Sequence, residues 1–302
     1  MRISKENVIY SMDKTNKPVA TVKSGAQVVF ETKDCFSDTI KSESDVISEI
    51  DFEKVNPATG PLYIEGAQPG DVLKVTIDAI KLNDQGVVVS APGLNRFFNE
   101  GIQKEQTVMC SINEEAGMFE FQGVEFPMNK MIGVIGTANG DEGITTGTPG
   151  PHGGNMDNTT IAEGSVVYLP VYIEGALLSI GDMHASMGDG EVWGCGVEAG
   201  GEAHVTVEVV KDYPHVVPMV ETEEAYYSYG YGRTIDEATA MSNDHMIDFL
   251  MKEADLTYNQ AGMLMTIKAN VASCQTVNPD VSMRIGILKE YVELAKGFKE
   301  TI

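Results

Sequence analysis

The residues best placed for chemistry sit in two loops of the middle third. Residues 145–157 read TTGTPGPHGGNMD, and their Gly and Pro content excludes a helix or a central strand. This loop carries His152 and Asp157. Residues 181–191 read GDMHASMGDGE and hold Asp182, His184, Asp189 and Glu191 directly after an apolar strand. A buried strand that ends in a polar, Gly-permissive loop is a rigid support for a site. Asp182 and His184 lie two apart, so an extended strand puts both on one face. Imidazole with carboxylate is a ligand set for Zn²⁺ and similar ions, and a catalytic zinc keeps three protein ligands and an open position. Asp182 and His184 would supply two, and His152 or an acid from another strand end the third. The structural alternative has Asp182 and Asp189 capping turns and His184 bonded to backbone. Spacing alone leaves both readings open.

Three further groups carry weaker signals. Residues 136–143, GTANGDEG, form a Gly-rich turn without the Lys-Ser/Thr of a phosphate-binding loop. Glu142 there is a candidate general base, set against a plain solvated turn acid. Cys195, in Trp193-Gly-Cys-Gly196, is a candidate nucleophile with His184 or His152 as base. The competing role is a small buried apolar residue, the common use of a free thiol. His204, His215 and His245 fall on a polar strand face, in a Pro-flanked loop and on a helix, where a site role is the minor reading. No G-x-S-x-G elbow is present.

The elements that must position these residues are mostly strands. Residues 71–82 put Leu73, Val75, Ile77 and Ala79 on one face, a period of two that marks a half-buried strand. Residues 25–32, 107–127 and 202–210 read as strands or a hairpin, and 165–180 as two buried strands joined near Glu174-Gly175. Many short strands with Gly/Pro turns argue for a sandwich or barrel. The last 70 or so residues change character. Thr234-Ile-Asp-Glu237 and Thr257-Tyr-Asn-Gln260 are capping boxes that open two helices, and a third helix is expected over 283–298 with Leu288, Tyr291, Leu294 and Ala295 as its apolar face. The division expected is a β-rich body over 1–210 carrying the site loops, and a helix-rich part over 211–302 packed on it.

The 302 residues carry a formal charge of −24, which repels phosphate backbones and sets nucleic acid aside as a partner. Most of that charge reads as solubility. No apolar run approaches the roughly 18 residues of a membrane helix, and the N-terminus does not read as a signal peptide, so cytoplasmic location and no membrane partner are expected. Cys35, Cys110, Cys195 and Cys274 are widely spaced and read as reduced thiols.

At the loop motifs the chain resembles the acetamidase/formamidase family over nearly its whole length. The resemblance is carried by Asn56-Pro-Ala-Thr-Gly-Pro-Leu-Tyr-Ile-Glu-Gly-Ala67 with Pro69-Gly-Asp-Val-Leu73, and by Met131-Ile-Gly-Val-Ile-Gly136. It continues in Thr146-Gly-Thr-Pro-Gly-Pro-His-Gly-Gly-Asn-Met-Asp157, Gly181-Asp-Met-His184 and Gly188-Asp-Gly-Glu191. It implies a mainly β (α+β) fold, with a jelly-roll-like sandwich or barrel body and a smaller helix-containing C-terminal α/β part, assembled as a homodimer or higher oligomer. It implies hydrolysis of a short aliphatic amide to carboxylate and ammonia, with lactams as substrates of some relatives. It also implies a divalent metal, zinc or calcium, and makes Asp34 a ligand beside Asp182 and His184. Glu142 would then act as general base and His152 as ligand or oxyanion stabiliser. The alternatives are a lactam hydrolase with Cys195 as nucleophile, and a non-enzymatic acidic ion-binding or scaffold protein.

Overall fold

Alternating apolar residues build the core. The computed structural model of the chain describes residues 1–96 and 101–298. Within them the fold is mostly β, with two large sheets of nine and twelve strands. The strands Ala26–Thr32, Gly201–Val210, Val72–Leu82 and Val166–Pro170 lie side by side in the nine-stranded sheet. Their inward residues, among them Phe30, Val205, Val75 and Val167, are buried. Ile77 and Ala79 do not share a face as a strict period of two requires. Gly201–Val210 pairs Val205 with Ile77 and His204 with Ala79, so Asp78 is bulged out. Beyond that bulge Ile80 and Leu82, not Ala79, turn inward.

The second sheet carries the site. Leu178–His184 is central in it, between Met131–Gly136 on one side and Ala58–Glu65 and Glu198–Ala199 on the other. Every residue of Leu178–His184 and of Met131–Gly136 is buried. Ile132, Ile135, Ile180 and Met183 of this sheet join Phe30, Leu73 and Ile77 of the first in one apolar core. The two strands expected within 165–180 are present, yet they belong to different sheets, so the turn near Gly175 carries the chain from one layer to the other. The strand ends at His184 rather than before Gly181, which places Asp182 and His184 within it.

The segment after residue 210 adds four strands to the edge of the nine-stranded sheet, and helices pack on them. Both capping boxes form: Thr234 opens α1 (Ile235–Glu253) and Thr257 opens α2 (Tyr258–Lys268). The helix expected over 283–298 is shorter. Val281–Leu288 is a strand with seven consecutive buried residues, and only Lys289–Ala295 is helical, as α3. Val281, Met283, Ile285 and Ile287 alternate with Ser282, Arg284 and Gly286, a period of two that marks a strand and that a helix over 283–298 does not account for. Leu294, assigned to the apolar face, is 70% exposed, while Val292 and Ala295 are buried. No described helix is long and apolar enough to cross a membrane, and all four cysteines are free.

Candidate metal centre and active site

Adjacent strands bring acids and an imidazole together. His184 and Asp182 project from one strand, Glu198 from its neighbour opposite His184, and Asp157 from the loop after Gly153–Asn155. All four are buried, between 0% and 3% exposed. Two overlapping groups, Asp157/Asp182/His184 and His184/Glu191/Glu198, each have their ligand atoms within 4.8 Å of one another, and Cys35 forms a third with Asp182 and Glu198. Asp157, Asp182 and Glu191 adopt left-handed backbone, with φ of 45°, 55° and 46°. Residues other than Gly rarely do so, and such positions gather at functional sites.

Gly133 explains how two carboxylates converge beneath a sheet. A Cβ built there would lie 2.5 Å from Asp157 Oδ1, 2.5 Å from Asp182 Oδ2 and 2.8 Å from the Asp182 carbonyl. The missing side chain is the space the acids occupy. Gly154 serves the preceding loop in the same way, since a Cβ there would lie 2.8 Å from His152 Nε2.

Both carboxylate oxygens of Asp157, Nε2 of His184 and Oε2 of Glu198 are buried without a hydrogen-bond partner. His184 Nε2 and Glu198 Oε2 are 2.9 Å apart, yet their alignment makes no hydrogen bond. Two lone pairs aimed at a shared third point have that arrangement. The other atoms are anchored: Gly196 N donates to Glu198 Oε1 at 3.0 Å, and His184 Nδ1 faces the Met131 sulfur. With the ring proton on Nδ1, Nε2 is left as a ligand. Burial pushes the Asp157 carboxyl up to about 7, and burial with the neighbouring acids raises Asp182 and Glu191 well above the usual carboxylate range. Burial works against a charged His184, but Glu198 and Asp182 outweigh it and raise the imidazole; His184 in turn outweighs burial at Glu198 and lowers that carboxyl. So many buried acids around one imidazole are an excess of negative charge, and a divalent cation is the compensation their donor set fits.

A cavity of about 350 Å³ opens onto this cluster, with Asp182, Glu191, Glu198, Asn56 and Asn155 in its wall. Glu191 is half-buried and sits on a clamped loop. Asp189 accepts from Arg284 Nη2 at 2.6 Å and from Thr159 Oγ1 at 2.7 Å. Gly190 N donates to the Cys274 carbonyl at 2.9 Å, and the Gly190 carbonyl accepts from Thr276 N at 2.9 Å. The C-terminal strands therefore hold the loop that presents Glu191.

Of the residues named from sequence, Asp182 and His184 stand in the cluster with Asp157 and Glu191 of the same two loops, and His152, Asp34 and Glu142 stand apart from its ligand groups. His152 is fully buried under its own loop with neither ring nitrogen bonded, and burial lowers its imidazole to about 4. Asp34 bonds with Asp38 in a tight loop, Asp38 N donating to its Oδ1 at 2.8 Å, and the next residue, Cys35, is the one that reaches the cluster. Glu142 is exposed on its turn, away from the cavity wall. Burial pushes the Cys195 thiol well up, against a thiolate, and Val89 N donates to its sulfur at 3.4 Å. Glu198 escaped sequence reasoning. Its signal was an acid at a buried position between Val197 and Ala199, but a lone carboxylate in a short strand looks the same when it faces solvent. His204 and His215 pair with Glu202 and Glu253, and His245 with the Tyr229 carbonyl.

Known proteins share this arrangement of strands. The chain superposes on the crystal structure of an acetamidase from Bacillus halodurans with a TM-score of 0.95 and 42% identity, covering 99% of this chain and 100% of that one. A protein from the thermophile Thermoanaerobacter tengcongensis, described as a predicted acetamidase/formamidase, gives 0.93 and 39% over 98% of both chains. A formamidase from Methylophilus methylotrophus is 26% identical over 251 residues, 64% of this chain and 62% of its own length. The curated relatives are thus matched over less than two thirds of their lengths. The sequence model of the Acetamidase/Formamidase family matches residues 14–144 and 138–269, and the chain belongs to that family.

Proposed function

We propose that this chain hydrolyses a short aliphatic amide to carboxylate and ammonia in the cavity whose wall includes Asp182, Glu191 and Glu198, beside Asp157 and His184. The observation that carries the reading is the set of unpartnered buried ligand atoms converging beside a cavity. It is supported by family membership and by relatives named acetamidase and formamidase. Asp182 and His184, with Glu198 or Asp157, would hold a divalent cation of the zinc type. When bound, such an ion polarises the amide carbonyl and lowers the pKa of a water from 15.7 to about 7.

The remaining work falls to the chain's own groups. Glu191 borders both the cluster and the cavity. It takes the proton of the attacking water and passes it to the departing nitrogen, as a tuned carboxylate can. His184 Nδ1 against the Met131 sulfur sets the ring, and Gly196 N fixes Glu198. Water is favoured over Cys195 as nucleophile because burial raises that thiol.

The test is ammonia release from formamide and acetamide, with metal analysis, before and after chelation. Chelation is expected to abolish turnover and metal return to restore it. Glu191→Gln is expected to lower kcat by about 10²–10⁴ while the metal stays bound. Full turnover in that variant would remove Glu191 from the reaction. No turnover on any short amide, with metal bound, would favour an ion-binding protein without this activity.

A further inference from the structure

One end of the nine-stranded sheet is unprotected. An outermost strand offers unpaired backbone groups to any strand that approaches, and proteins blunt such edges with charge, proline or short length. Arg2–Ile3, at one end of this sheet, is two residues long and carries Arg2. At the ends of the twelve-stranded sheet, Val124–Pro127 carries Glu125 and Pro127, and Pro149–Gly150 is two residues with a proline. Asn270–Gln275, the other end of the nine-stranded sheet, has none of these three. Its last residues are covered, because Gly190 N donates to the Cys274 carbonyl and Gln275 bridges to Gly190. Among the described residues, Asn270, Val271 and Ala272 pair with Val281–Leu288 alone.

An apolar helix face adjoins that edge. One residue separates the end of α2 from Asn270. Met263 and Ile267 lie four apart on α2 and so share a face, and with Tyr258, Gly262 and Thr266 they line one surface groove. They are 59% and 67% exposed. Val271, 57% exposed, lies directly opposite Ile285, which is buried in one cluster with Leu264 and Met265 of α2. Residues paired in this way share a face of the sheet, so Val271 also faces the helix layer.

Charge decides what can cover this surface. Residues 256–279 contain no Asp or Glu, the longest such run in a chain with 45 acids in 302 residues. A net charge of −24 holds copies of the chain apart, and an acid-free apolar face is where that repulsion is least. A basic partner would be drawn to the acidic surface elsewhere. An anionic membrane needs a cluster of cations, whereas α2 carries only Lys268, held over the Tyr291 ring at 4.4 Å. We propose that two copies of this chain associate here about a two-fold axis, Asn270–Ala272 pairing antiparallel with the same segment of the second copy, and Met263, Ile267 and Val271 packing across the axis. A two-fold axis normal to the sheet sets identical strands antiparallel, so one operation satisfies both the edge and the helix face. The inference stands apart from the amide-hydrolase reading.

Sedimentation of the full chain across a dilution series tests this. The unmodified protein is expected to form a dimer of twice 32.6 kDa, tightened by salt because screening relieves the like charges. Ile267→Glu enters the interface twice by symmetry and is expected to weaken dimerisation about 100-fold or more, with the far-UV circular dichroism unchanged. Should that variant fold poorly, hydrogen exchange on the unmodified protein answers instead, with protection within Asn270–Ala272 expected to fall as dilution frees the monomer. A chain that stays monomeric at every concentration, a dimer that salt dissociates, a dimer that folded Ile267→Glu leaves intact, or protection at 270–272 that dilution does not change overturns the proposal. Monomers that bind phosphatidylcholine vesicles would give the face to a lipid surface and overturn it as well.

Discussion

Gly133 shows how much a single missing atom does. Asp157 and Asp182 approach within 2.5 Å of where its Cβ would be, closer than any real contact. Both acids also depend on left-handed backbone, so the site has little room to relax around an intrusion. Gly133→Ala is expected to displace at least one carboxylate and to weaken metal affinity by about 10- to 100-fold, the scale of losing support for a ligand. Metal content after dialysis against a competing chelator checks this, and retention at the unmodified level would show that the acids do not converge as described. Asp182 and His184, paired in the sequence by their spacing of two, lie together in the structure. The sequence could not reveal Glu198 or Cys35. Those reach the cluster only through strand pairing and loop return, and no local pattern around Glu198 or Cys35 shows which strand end each will meet.

At the scale of elements, the C-terminal hairpin reaches back to the candidate site. Arg284 is 7% exposed, and its Nη1 donates to the Ser273 carbonyl at 3.0 Å while Nη2 holds Asp189. Asp189 in turn ties the Thr159 end of the Asp157 loop to the Glu191 loop. Removing one partner of such a pair leaves the other poorly compensated, although Asp189 is half exposed and water offsets part of that cost. Arg284→Gln is expected to lower kcat about tenfold or more with KM changed far less, because it loosens the residue proposed to move the proton rather than the cavity that binds substrate. Parallel losses in kcat and 1/KM, or none, would argue against that role. The strand that bears Arg284 is the one expected as helix from sequence. Its residues alternate Val281, Met283, Ile285 and Ile287 with Ser282, Arg284 and Gly286, so the strand pattern was legible; what the sequence did not show is that Ser282 and Arg284 are buried as well. The capping boxes at Thr234 and Thr257 were legible because each is closed by residues three apart.

For the whole molecule, the net charge of −24 and the buried groups act on different ranges. Surface charge is screened within about 8 Å at physiological salt, and it neither hinders a neutral amide nor retains an anionic product. Buried groups set the response to pH. Burial lowers His152 from 6.5 to about 4, since its imidazole has no bonded partner. Between those values the unfolded chain binds a proton that the folded chain refuses, so folding stability falls as pH drops from 6.5 toward 4. The shift corresponds to about 3 kcal/mol at about 1.4 kcal/mol per unit. Asp34 works in the opposite sense. Burial raises it from 3.8 to about 6, so it takes up a proton in the folded state first and favours folding as pH falls through that window. The net acid response of the chain therefore mixes both signs, and only a difference isolates one group. His152→Gln, compared with the unmodified chain by denaturant unfolding at pH 6.5 and near pH 4, is expected to lose about 3 kcal/mol less stability on acidification. Identical slopes for the two proteins would mean that His152 is protonated in the folded state, and that the loop around Gly150 and Gly154 admits the charge.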